Sequence, residues 1–305
     1  MNNIDYKHKA SPSLMVKLLN NIFSLIWMKR LMEKRMIDNA FVKNPAKLPK
    51  SFYENFTIRV SVHGGRKVWT IAPVNNSSDT LMLYLHGGAY MGNIRLEHWQ
   101  LIEQLIVKTK SVVVIPDYPL APEATCSVTY GFIGDLYLQL LTNFPAKQVI
   151  FIGDSAGGGL ALGFGQQLRN EKLKLPSQII IFSPWLDLTL TNPELQLFTQ
   201  GDNLLSITGL QCAARFYAGN LDLKDYRLSP LYGDLSGLCR ISVFTGTNDL
   251  LHADARRFRQ LMNEQKLGFN YFEYPGLFHD WVIITRLKET TDVIGKVYNL
   301  VNEYE

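Results

Sequence analysis

The residues best suited to chemistry stand in the sequence Gly-Asp-Ser-Ala-Gly at residues 153–157. The apolar run at 149–152 predicts a buried strand before it, and residues 158–168 predict a helix after it. A serine between a strand and a helix, flanked by glycines, can occupy a sharp turn from which its hydroxyl protrudes. Ser155 is therefore a candidate nucleophile for acyl transfer, although such a pattern arises by chance in about one in ten chains of this length.

A second loop supports that chemistry. The apolar run at residues 81–85 predicts another strand, which leads directly into His-Gly-Gly-Ala-Tyr at residues 86–90. Attack on an ester places negative charge on an oxygen, and the backbone N–H groups of a glycine-rich turn can hold that oxyanion. Alone, this loop would be an ordinary turn at a strand exit. Beside a nucleophilic serine, it indicates an oxyanion hole.

With these blocks, the chain resembles the hormone-sensitive-lipase family of α/β-hydrolases, of the bacterial carboxylesterase type. The blocks occur in family order, over roughly residues 52 to 303: Tyr-Leu-His-Gly-Gly at 84–88, Asp-Tyr-Pro-Leu-Ala-Pro-Glu at 117–123, Gly-Asp-Ser-Ala-Gly-Gly at 153–158, Ser-Pro-Trp-Leu-Asp at 183–187 and Ser-Pro-Leu-Tyr-Gly-Asp-Leu at 229–235. Two positions depart from the family pattern. Ala89 replaces the third glycine of the first block, and Pro119 replaces an arginine of the second, which removes a possible salt bridge near the site.

A serine needs a base to take its proton, and in this family the order along the chain is serine, acid, histidine. Only two of the six histidines follow Ser155. His279 follows a predicted strand and a Pro-Gly turn, from which it could reach the serine, and it is the predicted base. His252 stands at a predicted helix entry and is interpreted as a surface histidine.

The acid is expected on the loop after the predicted strand at 241–245, where Asp249 matches the family position. Asp254 is interpreted as a residue of the first helical turn that complements the helix dipole. Asp280, next to the base, is expected to point away from a shared hydrogen bond. The resemblance thus implies a triad of Ser155, Asp249 and His279. It also implies an oxyanion hole formed by the N–H groups of three residues: Gly88, Ala89 and Ala156.

Eight short apolar runs predict strands, at residues 56–60, 68–72, 81–85, 112–116, 149–152, 179–182, 241–244 and 271–274. From the third run onward they alternate with helix-like segments, which predicts an α/β-hydrolase fold with an eight-stranded, mostly parallel sheet flanked by helices. The first two runs predict an antiparallel edge. Residues 188–227 interrupt the alternation and predict a cap insertion, with a helix at 211–217, within a catalytic domain spanning residues 51–305.

The first fifty residues form a distinct N-terminal segment. They carry ten lysines and arginines against three acidic residues, a net charge of +7, whereas residues 51–305 carry −3, which gives the overall +4. Residues 13–38 predict one helix with a broad apolar face and a narrow polar strip. This face could cap the acyl pocket, as the resemblance implies, or lie on a membrane surface. We expect the cap.

Other functional classes are disfavoured. Three scattered cysteines show no metal-ligand spacing and favour a reducing, cytoplasmic location without disulfides, and no metal or cofactor is expected. Polar residues interrupt the N-terminal apolar run, which disfavours a secretory signal or a transmembrane span. The basic residues belong to no nucleic-acid-binding module. A homo-oligomer remains open.

The sequence therefore predicts a serine carboxylesterase acting on small, short-chain acyl esters. The alternatives are an amidase or peptidase with the same triad, and a small-ligand-binding protein that has the fold without the activity. Four aromatic residues could line an acyl slot, but they are interpreted as core residues of the cap: Trp185, Phe198, Phe216 and Tyr217.

Overall fold

A computed structural model describes residues 3–75, 77–144 and 148–302. The nine strands of this part are β1 Ile4–Lys7, β2 Phe56–His63, β3 Arg66–Pro73, β4 Thr80–Leu85, β5 Val112–Pro116, β6 Gln148–Asp154, β7 Gln178–Phe182, β8 Arg240–Asn248 and β9 Phe269–Phe278. Its ten helices are α1 Leu14–Leu25, α2 Met28–Ile37, α3 Lys50–Asn55, α4 Leu96–Thr109, α5 Cys126–Asn143, α6 Ser155–Asn170, α7 Leu195–Phe198, α8 Ile207–Ala218, α9 His252–Glu264 and α10 Lys288–Asn302. Short 3-10 turns lie at Pro230–Tyr232 and Trp281–Ile283.

All nine strands form one sheet in the order β1-β9-β8-β7-β6-β4-β5-β3-β2. Strand β1 and strands β4 to β9 pair in parallel, whereas β3 pairs antiparallel with β5, and β2 with β3. The predicted α/β-hydrolase architecture with an antiparallel edge is confirmed, but the count of eight strands is wrong. The added strand β1 belongs to the segment that we assigned to the cap. It is four residues long, too short for its sequence pattern to stand out.

Helices cover both faces of the sheet, because alternate side chains of a strand point to opposite faces. In β4, Leu81, Leu83 and Leu85 join the core beneath α5, α6 and α9, whereas Met82 and Tyr84 join the core beneath α4 and α10. The inner strands are consequently buried on both faces and read as continuous apolar runs. This layering keeps the sheet rigid beneath the loops that follow its strands.

The N-terminal helix is divided in two, so the prediction of one continuous helix over residues 13–38 is wrong. Trp27 adopts a left-handed conformation with φ +55°, which ends α1 and begins α2. Helix α2 packs against α8, the main helix of the segment 188–227 that the sequence predicts as a cap insertion, with Met36 buried at the contact. The described residues contain no helix long and apolar enough to cross a membrane.

The sheet determines where the candidate site forms. Strands β4, β6, β8 and β9 run parallel, so the loops after them leave from the same edge. These loops begin with His86 after β4, Ser155 after β6, Asp249 after β8 and His279 after β9. Segments nearly two hundred residues apart in sequence thereby meet at one edge.

Candidate active site

Ser155 stands at a sharp turn between β6 and α6, with φ +50°. Such a left-handed conformation is uncommon for a residue with a side chain and requires support from its surroundings. The support is close backbone packing: a Cβ on Gly157 would lie 2.0 Å from the carbonyl oxygen of Leu85. Glycine at 157 therefore lets the first turn of α6 approach the end of β4, and this approach brings the serine beside the loop that follows β4.

The structure brings Ser155, His279 and Asp249 into one hydrogen-bonded row. His279 Nε2 lies 2.9 Å from Ser155 Oγ, and His279 Nδ1 lies 3.0 Å from Asp249 Oδ2. The other carboxylate oxygen of Asp249 accepts the N–H of Leu251 at 2.9 Å, which fixes the orientation of the carboxylate. Asp249 is fully buried, while the serine and the histidine are each 7% exposed. This arrangement can deprotonate a serine hydroxyl as it attacks.

The charge environment favours a protonated His279 once it has taken that proton. Burial alone would lower the pKa of His279, but the nearby carboxylates together outweigh burial and raise that pKa to about 10, with Asp249 contributing most, followed by Asp280 and Asp202. Asp280 Oδ2 lies 3.8 Å from His279 Nε2, beyond hydrogen-bonding distance. Burial and the charge of Asp154 raise the pKa of Asp280 well above its ordinary value. Of these two carboxylates, only Asp249 lies within hydrogen-bonding distance of the His279 ring.

The glycine-rich loop lies directly beside the serine. A Cβ on Gly87 would lie 2.2 Å from Asp154 Oδ2 and 3.1 Å from Ser155 Cβ, so only glycine permits this approach. The N–H of Gly87 is committed to Asp154 at 2.8 Å. The following residues, Gly88 and Ala89, have φ of +121° and +55°. Alanine thus occupies a left-handed position where the family usually has glycine, and it does so while retaining its N–H group.

A buried carboxylate behind this loop was missed from the sequence. Asp154 accepts hydrogen bonds from Tyr84 Oη at 2.5 Å and from the Gly87 N–H, and its Oδ2 lies 3.2 Å from His98 Nε2. Burial disfavours its charge, but His98 and the hydrogen bonds from His98 and Tyr84 outweigh burial and lower the pKa of Asp154. Asp154 therefore ties the serine turn to the glycine-rich loop. An acidic residue at the end of an apolar strand was the only sequence signal for it.

Asp117, in the same block as Pro119, is paired with an arginine from another strand. Arg66 from β3 reaches Asp117, with Arg66 Nη2 at 2.6 Å from Asp117 Oδ1. Asn93 donates to the same oxygen at 2.6 Å, and to the carbonyl oxygen of Lys43 at 2.7 Å. Asp117 is consequently paired from another strand, and Asn93 links it to the N-terminal segment.

The segment 188–227 contacts the loop that carries Asp249. Asp202, fully buried in that segment, accepts the N–H groups of Leu204, Leu205 and Leu250 at 2.6, 2.8 and 2.7 Å. Burial and the charge of Asp249 raise the pKa of Asp202 to about 6. Lys29 of α2 donates to the backbone oxygen of Asp202 at 3.2 Å. The N-terminal segment, the segment 188–227 and the Asp249 loop are thus joined by consecutive contacts, which local sequence patterns do not predict.

The two remaining candidates near the base lie outside the row. Asp254 is in the first turn of α9, as expected, but it is buried and bonded to Asn192 Nδ2 at 2.8 Å. The interpretation of His252 as a surface residue is wrong: it is buried, with Nδ1 3.0 Å from Thr245 Oγ1, and burial lowers its pKa to about 4. Asp254 contacts Asn192 and His252 contacts Phe198, both in the segment 188–227. Neither side chain hydrogen-bonds His279 among the described residues.

Asp254 gives a prediction about stability. Burial raises its pKa to about 7 from 3.8, so the native state binds this proton more tightly than the unfolded chain. Stability should then fall by roughly 1.4 kcal/mol per pH unit between about pH 4 and pH 7. Asp254→Asn removes this pH-dependent loss of stability. The melting temperature of the variant minus that of the unmodified protein should therefore be larger at pH 8 than at pH 4.5. Exposed Asp135 provides the control Asp135→Asn. An Asp254→Asn difference that is the same at both pH values would contradict the assignment.

Aromatic residues close the space next to the glycine-rich loop. Tyr90, at the end of that loop, stacks on Tyr217 of α8 with ring centroids 3.7 Å apart and an interplanar angle of 2°. The Trp185 ring packs against Tyr90 at 5.8 Å. All three rings are fully buried, which agrees with the interpretation of Trp185 and Tyr217 as core residues. Phe198 and Phe216, interpreted in the same way, are partly buried and pack against the core.

Comparison with known proteins identifies the family of this chain. Residues 82–283 match the family described as alpha/beta hydrolase fold. An esterase of Acinetobacter venetianus is 34% identical over 207 residues, covering 67% of this chain and 68% of that protein. An acetyl-hydrolase of Streptomyces hygroscopicus is 31% identical over 212 residues, covering 69% and 71%. The solved structure of an esterase from the bacterial hormone-sensitive lipase family superposes with a TM-score of 0.82 at 22% identity, covering 96% of this chain and 99% of that one.

The fold, the matched family and the esterase relatives all agree. The sequence match spans the strands that carry the serine turn, the glycine-rich loop and the loops of both partners, so it covers the whole candidate site. The chain therefore belongs to the α/β-hydrolase family and is an esterase-type hydrolase.

Proposed function

We propose that this protein is a serine carboxylesterase that hydrolyses small, short-chain acyl esters through Ser155, His279 and Asp249. The observation that carries the proposal is the continuous row from Ser155 Oγ through both ring nitrogens of His279 to Asp249 Oδ2, with spacings of 2.9 and 3.0 Å. These are the distances over which a base can take a proton from a nucleophile and be oriented by an acid.

In the proposed reaction, Ser155 Oγ attacks the ester carbonyl while His279 Nε2 takes the hydroxyl proton. The carbonyl oxygen becomes an oxyanion, which the N–H groups of Gly88, Ala89 and Ala156 would hold. Ala156 is in the first turn of α6, where helix N–H groups lack intrahelical acceptors. The protonated His279 then gives its proton to the departing alcohol, which leaves an acyl-enzyme. A water molecule, deprotonated by His279, hydrolyses that intermediate and restores the serine.

Preference for short acyl chains rests on the stacked pair Tyr90 and Tyr217. Replacing Tyr217 by alanine should leave a space beside Tyr90 that a longer acyl chain can fill. The ratio of kcat/KM for octanoate esters to that for butyrate esters should then increase by about tenfold or more, because each added methylene of the acyl chain would be buried against the protein. A series of p-nitrophenyl esters measures this ratio. Tyr137→Ala is the matched control, since Tyr137 is a buried tyrosine of α5 that hydrogen-bonds the carbonyl oxygen of Lys174. An unchanged ratio in Tyr217→Ala would remove Tyr217 from the acyl site.

The same ester series, run beside matched p-nitroanilides, tests the reaction class. We expect turnover of acetate and butyrate esters well above that of the anilides and of palmitate. Faster anilide cleavage would make the protein an amidase. Ligand binding without any turnover would make it a binding protein and would overturn the proposal.

We further propose that residues 188–227 form a cap insertion and that the segment 1–50 completes it. The contacts between α2 and α8, and the hydrogen bonds from Lys29 to Thr199 and Asp202, support a single cap built from both segments. Residues 4–7 are not part of this cap, since they extend the sheet as β1.

The three cysteines are free thiols, which supports our proposal of a cytoplasmic location.

A further inference from the structure

Helix α1 has apolar residues on two opposite faces. Its inward face is centred on Val16, Leu19 and Phe23, and the Phe23 ring meets Phe278 edge to face, with centroids 5.2 Å apart. Its outward face carries a strip of four apolar residues spaced along one side of the helix: Leu14, Leu18, Ile22 and Leu25. Leu14 is 83% exposed and Leu25 is 76% exposed. The packing that seats α1 on the protein therefore leaves this strip uncovered.

Helix α2, which packs beside α1, also exposes apolar and basic residues. We call α1, Trp27 and the outward side of α2 the N-terminal face. On α2 it presents exposed Leu31 and Ile37 beside Arg30 and Lys34. Trp27, 60% exposed, stands between the two helices, and the Arg30 guanidinium lies 4.3 Å above its ring. Exposed apolar side chains of this size, gathered together, mark a surface that binds something.

The charge distribution limits what the N-terminal face can bind. Helices α1 and α2 carry four exposed cations, Lys17, Arg30, Lys34 and Arg35, and their one acidic residue, Glu33, is half-buried, whereas residues 51–305 carry a net charge of −3. Two copies of the chain meeting through this face in a symmetric dimer would place its cations against each other, which is unfavourable. An anionic lipid surface, in contrast, accepts the apolar strip and attracts the cations, and it repels the rest of the protein away from the bilayer.

We propose that the N-terminal face docks on an anionic lipid bilayer. The cap and membrane alternatives for this segment are then compatible, because the inward face of α1 packs on the protein while the outward face meets lipid. Asn20 of α1 donates to the carbonyl oxygen of Gly276, three residues before His279. Docking would therefore place the edge of the sheet that carries the candidate site close to the bilayer.

Trp27 provides a direct measurement of docking. The other four of the five tryptophans are at most 7% exposed, so a change in emission on adding lipid reports Trp27. Vesicles of phosphatidylcholine with 30% phosphatidylglycerol should shift the emission of the full-length protein to shorter wavelength and cosediment with it. Pure phosphatidylcholine vesicles should bind at least tenfold less, and salt should weaken binding to the anionic vesicles. Trp27→Phe should remove the shift.

Two double variants separate the apolar and electrostatic contributions. Leu18→Gln with Leu25→Gln should lower the vesicle partition coefficient at least tenfold, because it removes two side chains that would enter the lipid. Lys17→Gln with Lys34→Gln should lower it by about fivefold for each charge removed. The matched control is Val62→Gln with Val128→Gln, which alters two exposed apolar residues of β2 and α5 and should bind as the unmodified protein does.

Docking does not depend on the proposed reaction, so Ser155→Ala should bind vesicles as tightly as the unmodified protein. Equal binding of the Leu18/Leu25 and Val62/Val128 double variants would overturn the proposal, as would equal binding to anionic and neutral vesicles. A dimer in lipid-free solution that dissociates in the Leu18/Leu25 variant, measured by sedimentation velocity, would assign the face to a second copy of the chain instead.

Discussion

Replacement of Ser155 by alanine should lower kcat for a short-chain ester by about a million-fold while the protein stays folded. The change removes one hydroxyl and leaves the turn and its neighbours in place. The loss is large because no acyl-enzyme can form, and the remaining residues of the row have nothing to activate. Alanine keeps the side-chain volume at Cβ, which is the atom that packs 3.1 Å from the Cβ position of Gly87.

Covalent labelling gives a second readout of the same prediction. A fluorophosphonate should form a single adduct on the unmodified protein, and peptide mass spectrometry should place it at Ser155. Ser206 provides a matched control: it is a buried serine that caps α8 by accepting the N–H of Gly209 at 3.0 Å, so Ser206→Ala should still be labelled. An adduct at another residue, or undiminished turnover in Ser155→Ala, would contradict the assignment of the nucleophile.

The sequence predicts the part of the fold that depends on local pattern. Each inner strand is buried on both faces and is therefore a continuous apolar run, which can be recognised without knowing its neighbours. The loops that follow β4, β6, β8 and β9 must then share an edge because parallel strands end together. That reasoning places the loops of Ser155, Asp249 and His279 at one edge, and the family resemblance selects Asp249 on its loop. The structure has the three side chains in contact. Their catalytic roles remain predictions.

The features that the sequence did not predict depend on contacts between distant segments. The short strand β1 has no stability of its own and forms because the edge of β9 offers unpaired backbone groups. The break at Trp27 lies within a continuous helical pattern and reflects how α2 packs on α8. The burial of His252 depends on α7, whose Phe198 ring meets it edge to face at 5.0 Å. A local pattern carries none of this information.

The polar residues that position the candidate site were also not predicted from the sequence. Asp154 and Asp202 are both fully buried, and each bridges two segments by accepting several hydrogen bonds. Composition alone would place such carboxylates at the surface. Buried carboxylates are retained where hydrogen bonds satisfy them, and the donors here come from residues 48 to 70 positions away as well as from near neighbours.

Asp249→Asn should lower kcat by about ten-thousand-fold, the second largest effect that we expect. An amide at this position would present an N–H group to His279 Nδ1, so the ring would carry its own proton on Nε2. That nitrogen faces Ser155 Oγ at 2.9 Å and could no longer accept its proton. The imidazolium would also lose the negative charge that stabilises it.

The pH dependence and two neighbouring carboxylates complete this test. Because Asp249 raises the pKa of His279, its removal should lower that pKa, and the residual activity of Asp249→Asn should persist to lower pH than that of the unmodified enzyme. Asp254→Asn should reduce kcat by less than about tenfold, since Asp254 does not contact the base. Asp280→Asn should behave similarly, because an amide resembles the neutral carboxyl that its raised pKa favours. A greater loss of kcat in Asp280→Asn than in Asp249→Asn would show that Asp280, rather than Asp249, acts as the acid.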